Sequence, residues 1–551
     1  MKPNLTTFLS LILFICSFEI SAQSTKLITD ADLNAGQTYN WTKENTYILD
    51  GLVFVEEGAI LNIEAGTVVK FTTRADEGNP SALVIARGGK IFATGTKDAP
   101  IIFTSELDDV NNPDDLGPAD NALWGGIALL GKAVTQKRGS SEVALEGIPS
   151  TESRALYGGN DNNDSSGELS YVSIRHGGRV LTAGSELNGL SLGAVGAGTK
   201  LEYIEIYANS DDGIEFFGGT ANLKHAVVAF VEDDCYDWDE VYTGKGQFWF
   251  SIQRPDVGDH GGELDGSTDD DLVPYSNPTV YNWTHIGTGK TATAGGIGWL
   301  LRAGTAGTIG NSIVTELRGK TIEVQDKAGD VNDAYEKLKK GELKLLNNQF
   351  WNTGAFTTLD ATSTGIIRVT SGAQEPSAAT LVNHLSENKN AISDPGILAI
   401  SRAKDQGLDP RPSTNIGTNL AAYPAGDPFF STVNYKGAFD PVGDHWLRGW
   451  TALHQNGHLK EFSTSVKFSQ EVIQAYKVFP NPALHGYVSI QNIKNEAFAV
   501  QIFDLTGRLI QHMMAESGQT QLNIQGFQKG LYLVKVINKD KKFGTYKLVI
   551  E

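Results

Sequence analysis

Apolar and polar residues alternate over short stretches along most of the chain, and glycine or asparagine separates the stretches. Two early examples are "YILDGLVFVEEGAILNIEAGTVVKF" at 47–71 and "SALVIARGGKIFATGTKDAPIIFTS" at 81–105. A period of two is typical of strands with one buried face, and the separating residues favour turns. The pattern predicts a mainly β protein. One amphipathic helix is expected at 330–346, outside the strands, although Gly341 could end it early.

A longer period is superimposed on this alternation. The segment "LEYIEIYANSDDGIEFFGGT" (201–220) matches "LKHAVVAFVEDDCYDWDEVYTG" (223–244) at an interval of 22 residues, which aligns Leu201 with Leu223, Ile214 with Tyr236, and Phe216 with Trp238. A period in the low twenties is typical of one coil of a β-helix. We therefore predict a right-handed parallel β-helix with coils about 4.8 Å apart. A β-sandwich would also alternate, but it would not repeat feature by feature.

The N-terminus has the organisation of a secretory signal peptide. Lys2 precedes an apolar run at 8–18, and the small residues Ser21 and Ala22 predict cleavage after residue 22. Cys16 also ends the run "LFIC", where a lipoprotein signal would place its cysteine, but such signals use a smaller residue before it. Cleavage after residue 22 leaves Cys235 as the single thiol, so no internal disulfide is expected. No later segment is apolar enough to cross a membrane.

The net charge of the chain limits the classes of molecule that it is expected to bind. The chain has 45 Lys and Arg residues against 65 Asp and Glu residues, a formal net charge of −20. Such a chain repels nucleic acid and anionic membrane surfaces, so neither is an expected partner. Cations and neutral sugars fit this charge better.

The sequence changes character from about residue 476, where short alternating strands predict a small antiparallel β-sandwich. The motifs "FPNP" (479–482), "FDLTGRLI" (503–510), "KGLYLVKV" (529–536) and the terminal "YKLVIE" resemble the type A C-terminal sorting domain of the type IX secretion system. The resemblance implies passage through the periplasm, interaction with the type IX machinery, and export to the outer surface of a Bacteroidetes-type bacterium. The domain is then removed, and the protein is released or anchored to surface lipopolysaccharide.

These features predict four regions: a signal peptide at 1–22, a β-helix domain at 23–465, a linker at 466–475 and the sorting domain at 476–551. The β-helix region also resembles a group of uncharacterised secreted β-helix proteins in "NSDDGIEFFGGT", "YTGKGQFWF" and "WLRGWTALHQNGHL". That resemblance implies no particular activity.

Acidic residues repeat at the same interval, in "NSDDGIEFF" (209–217) and "EDDCYDWDE" (232–240). If the apolar residues of these strands point inward, Glu215 and Asp237 point outward, one above the other. Asp211 then stacks with Asp233, and Asp212 with Asp234. Two carboxylates at that spacing repel by about 1 kcal/mol even in water. Something must relieve this repulsion.

Three interpretations of the acidic repeat remain open. The simplest is that the side chains bond to turn backbone at the coil corners. A second is Ca²⁺ binding through oxygens of the residues Asp212, Glu215, Asp234, Asp237 and Asp239. The third is enzymatic, because the order of acids resembles that of polygalacturonase-like pectin hydrolases.

The resemblance to polygalacturonases implies inverting hydrolysis by the residues Asp211, Asp233, Asp234 and His260, with "RGK" at 318–320 as the basic motif. Three departures weaken it: the histidine stands in "DHGG" where that family has Gly-His-Gly, "RGK" lies far downstream, and an acidic face would repel polygalacturonate. A lyase would instead need Ca²⁺ and a basic residue such as Arg175, Lys245 or Arg302. The sequence favours binding to a glycan, matrix or other surface over either enzyme, with Ca²⁺ as the candidate cofactor.

Overall fold

The computed structural model describes residues 24–74, 80–137, 140–182, 185–353, 367–369, 375–413, 419–460, 475–483, 486–504, 509–515, 518–539 and 542–551. The predicted signal peptide lies outside these residues, as does nearly all of the predicted linker. The chain divides into two compact units, residues 1–460 and 461–551.

The regular secondary structure of the first unit consists mainly of short strands. Their bounds are β1 (Ser24–Ile28), β2 (Thr38–Trp41), β3 (Asn45–Leu49), β4 (Leu52–Val55), β5 (Ile60–Ile63), β6 (Val68–Phe71), β7 (Ala82–Ile85), β8 (Lys90–Thr94), β9 (Ile101–Ser105), β10 (Ile127–Leu130), β11 (Val143–Ala144), β12 (Leu156–Tyr157), β13 (Gly167–Arg175), β14 (Val180–Thr182), β15 (Ser185–Glu186), β16 (Leu190–Gly193), β17 (Lys200–Tyr207), β18 (Ile214–Phe217), β19 (Asn222–Ala229), β20 (Tyr236–Asp239), β21 (Lys245–Ile252), β22 (Gly262–Asp265), β23 (Thr279–Tyr281), β24 (Thr284–Ile286), β25 (Trp299–Arg302), β26 (Gly307–Gly310), β27 (Ile313–Leu317), β28 (Ile322–Val324), β29 (Leu343–Leu346), β30 (Gln349–Thr353), β31 (Ile367–Val369) and β32 (Ala391–Ile392). The helices are α1 (Ala334–Lys340), α2 (Glu375–Glu387) and α3 (Ala452–Gln455), with short 3-10 turns at Asp30–Asp32 and Ser153–Ala155.

Two long parallel sheets form a β-helix. One has 18 strands, and the other has ten in the order β4-β7-β10-β16-β18-β20-β22-β25-β28-β31. β18 pairs with β20 in parallel, which places Ile214 opposite Tyr236. β17 pairs with β19, which places Leu201 opposite Leu223. The parallel stacking and the register predicted from the 22-residue interval are therefore confirmed.

Left-handed backbone marks the bends of each coil. One column, which bends the 18-stranded sheet, has φ between 50° and 61° at seven stacked positions: Tyr171, Tyr203, His225, Phe248, Asn282, Asn311 and Asn347. Left-handed backbone costs a residue with a side chain roughly 1–2 kcal/mol. Stacking offsets this cost in the aromatic half, where ring centroids lie 4.3 Å apart from Tyr171 to Tyr203 and again from Tyr203 to His225.

The interior of the coil is one continuous apolar column that runs from Leu33 to Leu385. Large rings fill it where the acidic repeat lies on the outside; the Tyr236 and Trp249 centroids are 4.6 Å apart and the rings are stacked. Cys235 is buried in this column as a free thiol. Buried residues of α2 belong to the same column.

The predicted helix at 330–346 is shorter and more integral than expected. α1 ends at Lys340 because Gly341 adopts the left-handed C-cap conformation, with φ of 73°. The chain then continues as β29 of the coil. Tyr335 and Leu338 pack into the interior column, so α1 is part of the core rather than an external decoration.

After β32 the chain turns back along the outside of the 18-stranded sheet. We call residues 393–460 the strap. It contacts five successive coils through hydrogen bonds to the residues Asn347, Asn311, Tyr281, Gln247 and Lys224. Phe248 and Phe250 of the sheet and Trp450 of the strap belong to a second apolar cluster. Near its end, the backbone N–H groups of Ala452 and Leu453 donate to buried Glu205.

The second unit contains β33 (Tyr476–Phe479), β34 (Tyr487–Asn492), β35 (Phe498–Phe503), β36 (Leu509–Ala515), β37 (Gln519–Asn523), β38 (Gly530–Asn538) and β39 (Phe543–Ile550). They form a three-stranded and a four-stranded sheet, both antiparallel. Val488, Val500, Val534 and Leu548 are fully buried in a core of their own. The antiparallel sheets predicted for the C-terminal module are confirmed.

Candidate functional site

The acidic repeat lies at the corner where the chain leaves the 18-stranded sheet and enters the ten-stranded sheet. Gly213 makes the turn in one coil. A Cβ atom there would lie 2.4 Å from Val228 Cγ1 and 2.6 Å from the Cys235 carbonyl oxygen, so only glycine fits. The corner is therefore packed tightly against the interior, and its aspartates turn away from the core.

Two aspartates at this corner hold the coil above them. The backbone N–H of Asp234 donates to Asp212 Oδ1 at 2.9 Å. One coil further on, the backbone N–H of His260 donates to Asp234 Oδ1 at 2.6 Å, and His260 Nδ1 lies 2.9 Å from the same oxygen. This ladder matches the turn interpretation for one oxygen of each carboxylate.

Beyond the corner, the outer face of the ten-stranded sheet carries a column of acids. Glu215 lies opposite Asp237, and Asp237 lies opposite Glu263. A parallel column contains Asp239 and Asp265. One coil later, Arg302 pairs with the last acid of each column. It forms an ion pair with Glu263, and its Nε lies 2.8 Å from Asp265 Oδ1.

Within the described residues, four sets of three side chains bring ligand atoms within 4.8 Å of one another: Asp211, Asp212 and Asp233; Asp212, Glu215 and Asp237; Asp234, Asp237 and Glu263; Asp234, Asp259 and His260. These overlapping sets contain His260 and every predicted acidic ligand except Asp239. They also contain Glu263 and Asp259, which the sequence shows as neighbouring acids but does not single out as ligands. Their signal was the third acidic segment, "DHGGELD" at 259–265, whose longer coil breaks the 22-residue interval.

Burial is the main influence on the charge of this cluster. It raises the pKa of Asp212 well above its ordinary value, and the negative charge of Asp234 adds to the effect. Burial also raises the pKa of Glu215 and of Asp237 well above their ordinary values, and Glu215 contributes to the shift at Asp237. Asp239, buried next to Glu240, has its pKa raised to about 6. Neutralisation by protons or by a cation is therefore favoured.

Among the described residues, the centre of the cluster has no basic partner: no ion pair reaches Asp212, Glu215 or Asp237. Asp237 Oδ1 is buried and accepts no hydrogen bond from the part of the chain that the structure describes. Carboxylate oxygens of this kind are ligands that Ca²⁺ accepts, so the residues present fit a hard divalent cation.

Comparison with known proteins agrees with the fold. A family model described as a pectate-lyase-like β-helix domain matches residues 34–393. The chain belongs to the pectate-lyase-like β-helix family. A second model, the secretion system C-terminal sorting domain, matches residues 477–551. This is therefore a β-helix protein secreted through the type IX system to the cell surface or the extracellular space.

Other comparisons add little. No curated protein matches the chain. The solved structure of PorZ, an essential bacterial surface component of the type-IX secretion system of Porphyromonas gingivalis, aligns at 21% identity with a TM-score of 0.14. That alignment covers 18% of this chain, and the chain spans 14% of the PorZ chain. Among the described residues, no helix has the length and apolarity needed to cross a membrane.

Two basic residues of the predicted hydrolase site, His260 and Lys320, lie at the corner that carries the acidic repeat. His260 is partly buried; burial alone would lower its pKa, but the hydrogen bond and charge of Asp234 outweigh burial and raise the pKa. The N–H of Gly261 donates to Ile297 O, and that of Gly298 donates to Lys320 O. Lys320 of "RGK" therefore stacks at the same corner, two coils or about 10 Å beyond His260.

Two of the three basic residues proposed for a lyase make their contacts away from the acidic cluster. Arg175 is buried against Ser173 and Gln455 on the 18-stranded sheet. Lys245 pairs with Asp427 of the strap. Only Arg302 borders the acidic cluster. The aromatic side chain of Phe248 is buried in the second apolar cluster, beneath the strap.

Proposed function

We propose that this protein is a secreted binding protein whose corner cluster holds Ca²⁺ and, through it, binds a surface glycan or matrix component. The observation that supports this best is the position of Asp237. Its buried and unpartnered oxygen lies in the middle of the cluster, and the side chain belongs to two overlapping ligand sets, one with Glu215 and one with Glu263. A cation there would relieve the repulsion between the stacked carboxylates.

Ca²⁺ suits the cluster better than a transition metal. Both sets that share Asp237 consist of carboxylates alone, with no imidazole or thiolate. Hard oxygen ligands favour Ca²⁺ or Mg²⁺. Ca²⁺ also accepts the irregular ligand arrangement that two stacked coils provide, whereas Mg²⁺ demands a near-ideal octahedron.

The hydrogen bonds made by Asp212 and Asp234 support a binding role for the cluster better than a catalytic one. Asp212 and Asp234 each use one oxygen to hold the backbone of the next coil, which fixes them as rigid corner groups. The more exposed acids of the cluster, Asp233 and Asp259, lie at its margin. A bound cation would face a ligand from that side.

The test is calorimetric titration of the secreted protein with Ca²⁺ and with Mg²⁺. Wild type should bind Ca²⁺ and unfold at a higher temperature in its presence. Asp237→Asn should weaken Ca²⁺ binding at least about tenfold, because one anionic ligand is lost. Asp98→Asn removes an exposed carboxylate in the turn between β8 and β9, which belongs to none of the four ligand sets, and should bind Ca²⁺ as wild type does. Ca²⁺-dependent retention on polysaccharide arrays then tests glycan binding; retention unchanged by a chelator contradicts the proposal.

A second candidate is polysaccharide hydrolysis. It is favoured by the contact between His260 Nδ1 and Asp234, and by the position of Lys320 at the same corner. Release of reducing ends from acidic or neutral polysaccharides, lost in His260→Gln and in Asp233→Asn, would support an enzyme. Binding without any release of reducing ends would rule against it.

A further inference from the structure

The strap reaches the acidic corner through Arg402. Its Nε donates to the backbone carbonyl of Gln253 at 2.7 Å, and a terminal N–H donates to the carbonyl of Gly287. These two carbonyls directly follow β21 and β24, which pair with each other in successive coils. At both points the chain leaves the 18-stranded sheet. Arg402 therefore joins two stacked coils at the point where each turns toward the cluster.

Gln253 carries this contact to the site. Its side chain is buried, and Nε2 donates to the carbonyls of Asp259 and His260, each at 3.2 Å. These are the two residues that complete a ligand set with Asp234. The guanidinium of Arg402 thus fixes Gln253, and Gln253 fixes the loop that supplies one edge of the cluster.

Lys404 holds a second segment, residues 113–118, which contacts the loop at 253–260 through Arg254. Its Nζ donates to the carbonyls of Pro113 and Leu116. The carbonyl of Pro118, in the same segment, accepts a hydrogen bond from Arg254 at 2.9 Å. Arg254 in turn forms an ion pair with Asp256 at 2.6 Å. Arg402 therefore holds the loop at 253–260 through Gln253, and Lys404 holds the segment at 113–118, which contacts Arg254 of that loop.

We propose that Arg402 and Lys404 are positioning residues, through which docking of the strap sets the affinity of the corner for its cation. This inference rests on the proposed function. Groups that orient metal ligands without touching the metal typically change affinity by about 10- to 100-fold. A loop released from Gln253 would withdraw the His260 N–H from Asp234, and Asp234 is also a ligand in the set with Asp237 and Glu263 that the proposed Ca²⁺ would occupy.

The experiment compares strap variants in the full secreted chain. Arg402→Gln should weaken Ca²⁺ binding about tenfold, and Arg402→Lys should recover part of the loss. Lys224→Gln is the matched control, because Lys224 anchors the strap at Phe429 and Ser431, away from the corner. It should leave Ca²⁺ affinity unchanged. Unfolding without Ca²⁺, measured for every variant, separates loss of positioning from loss of stability.

The outcomes separate this inference from the proposed function. If wild type binds no Ca²⁺, the proposed function fails. If Asp237→Asn loses Ca²⁺ while Arg402→Gln binds as wild type does, the positioning role is overturned. Equal losses in Arg402→Gln and Lys224→Gln would also overturn it, because they indicate general stabilisation. If Arg402→Gln does not fold, Lys404→Gln is judged by the same comparison with Lys224→Gln.

Discussion

Buried histidines and buried carboxylic acids have opposite effects on how the stability of this protein depends on pH. Burial lowers the pKa of His225 and of His285 to about 3. Their contribution to stability is present above pH 6.5 and is lost as the pH falls below it. Burial raises the pKa of the cluster acids, so the folded state keeps protons that the unfolded chain releases. Their contribution is present below about pH 4 and is lost as the pH rises through the raised pKa.

These opposing effects require a difference measurement. Without Ca²⁺, we expect Asp237→Asn to be more stable than wild type at pH 7.5, and this advantage should shrink toward pH 4, because both side chains are then neutral. Chemical unfolding of both proteins at several pH values measures it, and the histidine effect cancels in the difference. Saturating Ca²⁺ at pH 7.5 should reverse the order. An advantage independent of pH would show that Asp237 does not carry the expected charge.

Some residues of the site are readable in the sequence, and others are not. The pairs at 211 and 233, and at 215 and 237, follow from the repeat, because parallel coils keep one register. Glu263 is not found this way, since its coil is longer and the interval changes to 26 residues. The left-handed Tyr203 and His225 also escape prediction, because bulky residues ordinarily avoid that conformation.

At the scale of elements, strands are predictable and the strap is not. Each strand has a local alternation and a stacked neighbour one coil away. The strap has neither. It is held by single contacts between residues far apart in the chain, such as Ala452 to Glu205, separated by 247 residues. No periodic pattern marks these positions, so only the three-dimensional structure shows which surface the strap covers.

Glu205 is a fully buried anchor for the end of the strap. It is fully buried and accepts hydrogen bonds from the Ser173 hydroxyl at 2.6 Å and from two backbone N–H groups at the start of α3. Glu205→Ala should lower the free energy of unfolding by about 3 kcal/mol, because these donors lose their buried acceptor and buried Arg175 loses a nearby negative charge. Denaturant titration measures this change.

Glu202→Ala provides the control for Glu205. Glu202 lies on the same strand but pairs with Lys200, whose side chain is half exposed. Exposed ion pairs contribute roughly 0–1 kcal/mol, so the control should lose less than that. Similar losses in both variants would contradict the anchoring role.

At the scale of the molecule, the two compact units have separate tasks. The sorting domain directs export, and the β-helix carries the candidate site. We expect that deletion of residues 476–551 leaves the β-helix in the periplasm after signal-peptide removal, because the type IX machinery no longer recognises it. Cell fractionation with a periplasmic marker measures this, and the Asp98→Asn variant with an intact tail is the export control. Surface or medium levels equal to wild type would contradict the expectation.

The strap also constrains how this protein can evolve. β-helices lengthen readily by duplication of a coil, because each coil contacts only its neighbours. Here, one strap segment crosses five successive coils and bonds to each. An inserted coil would add about 4.8 Å to the β-helix but nothing to the strap, and every anchor beyond it would miss its partner. Growth by duplication is therefore restricted to coils outside the span of the strap, and the coil count within it is inherited as a fixed number.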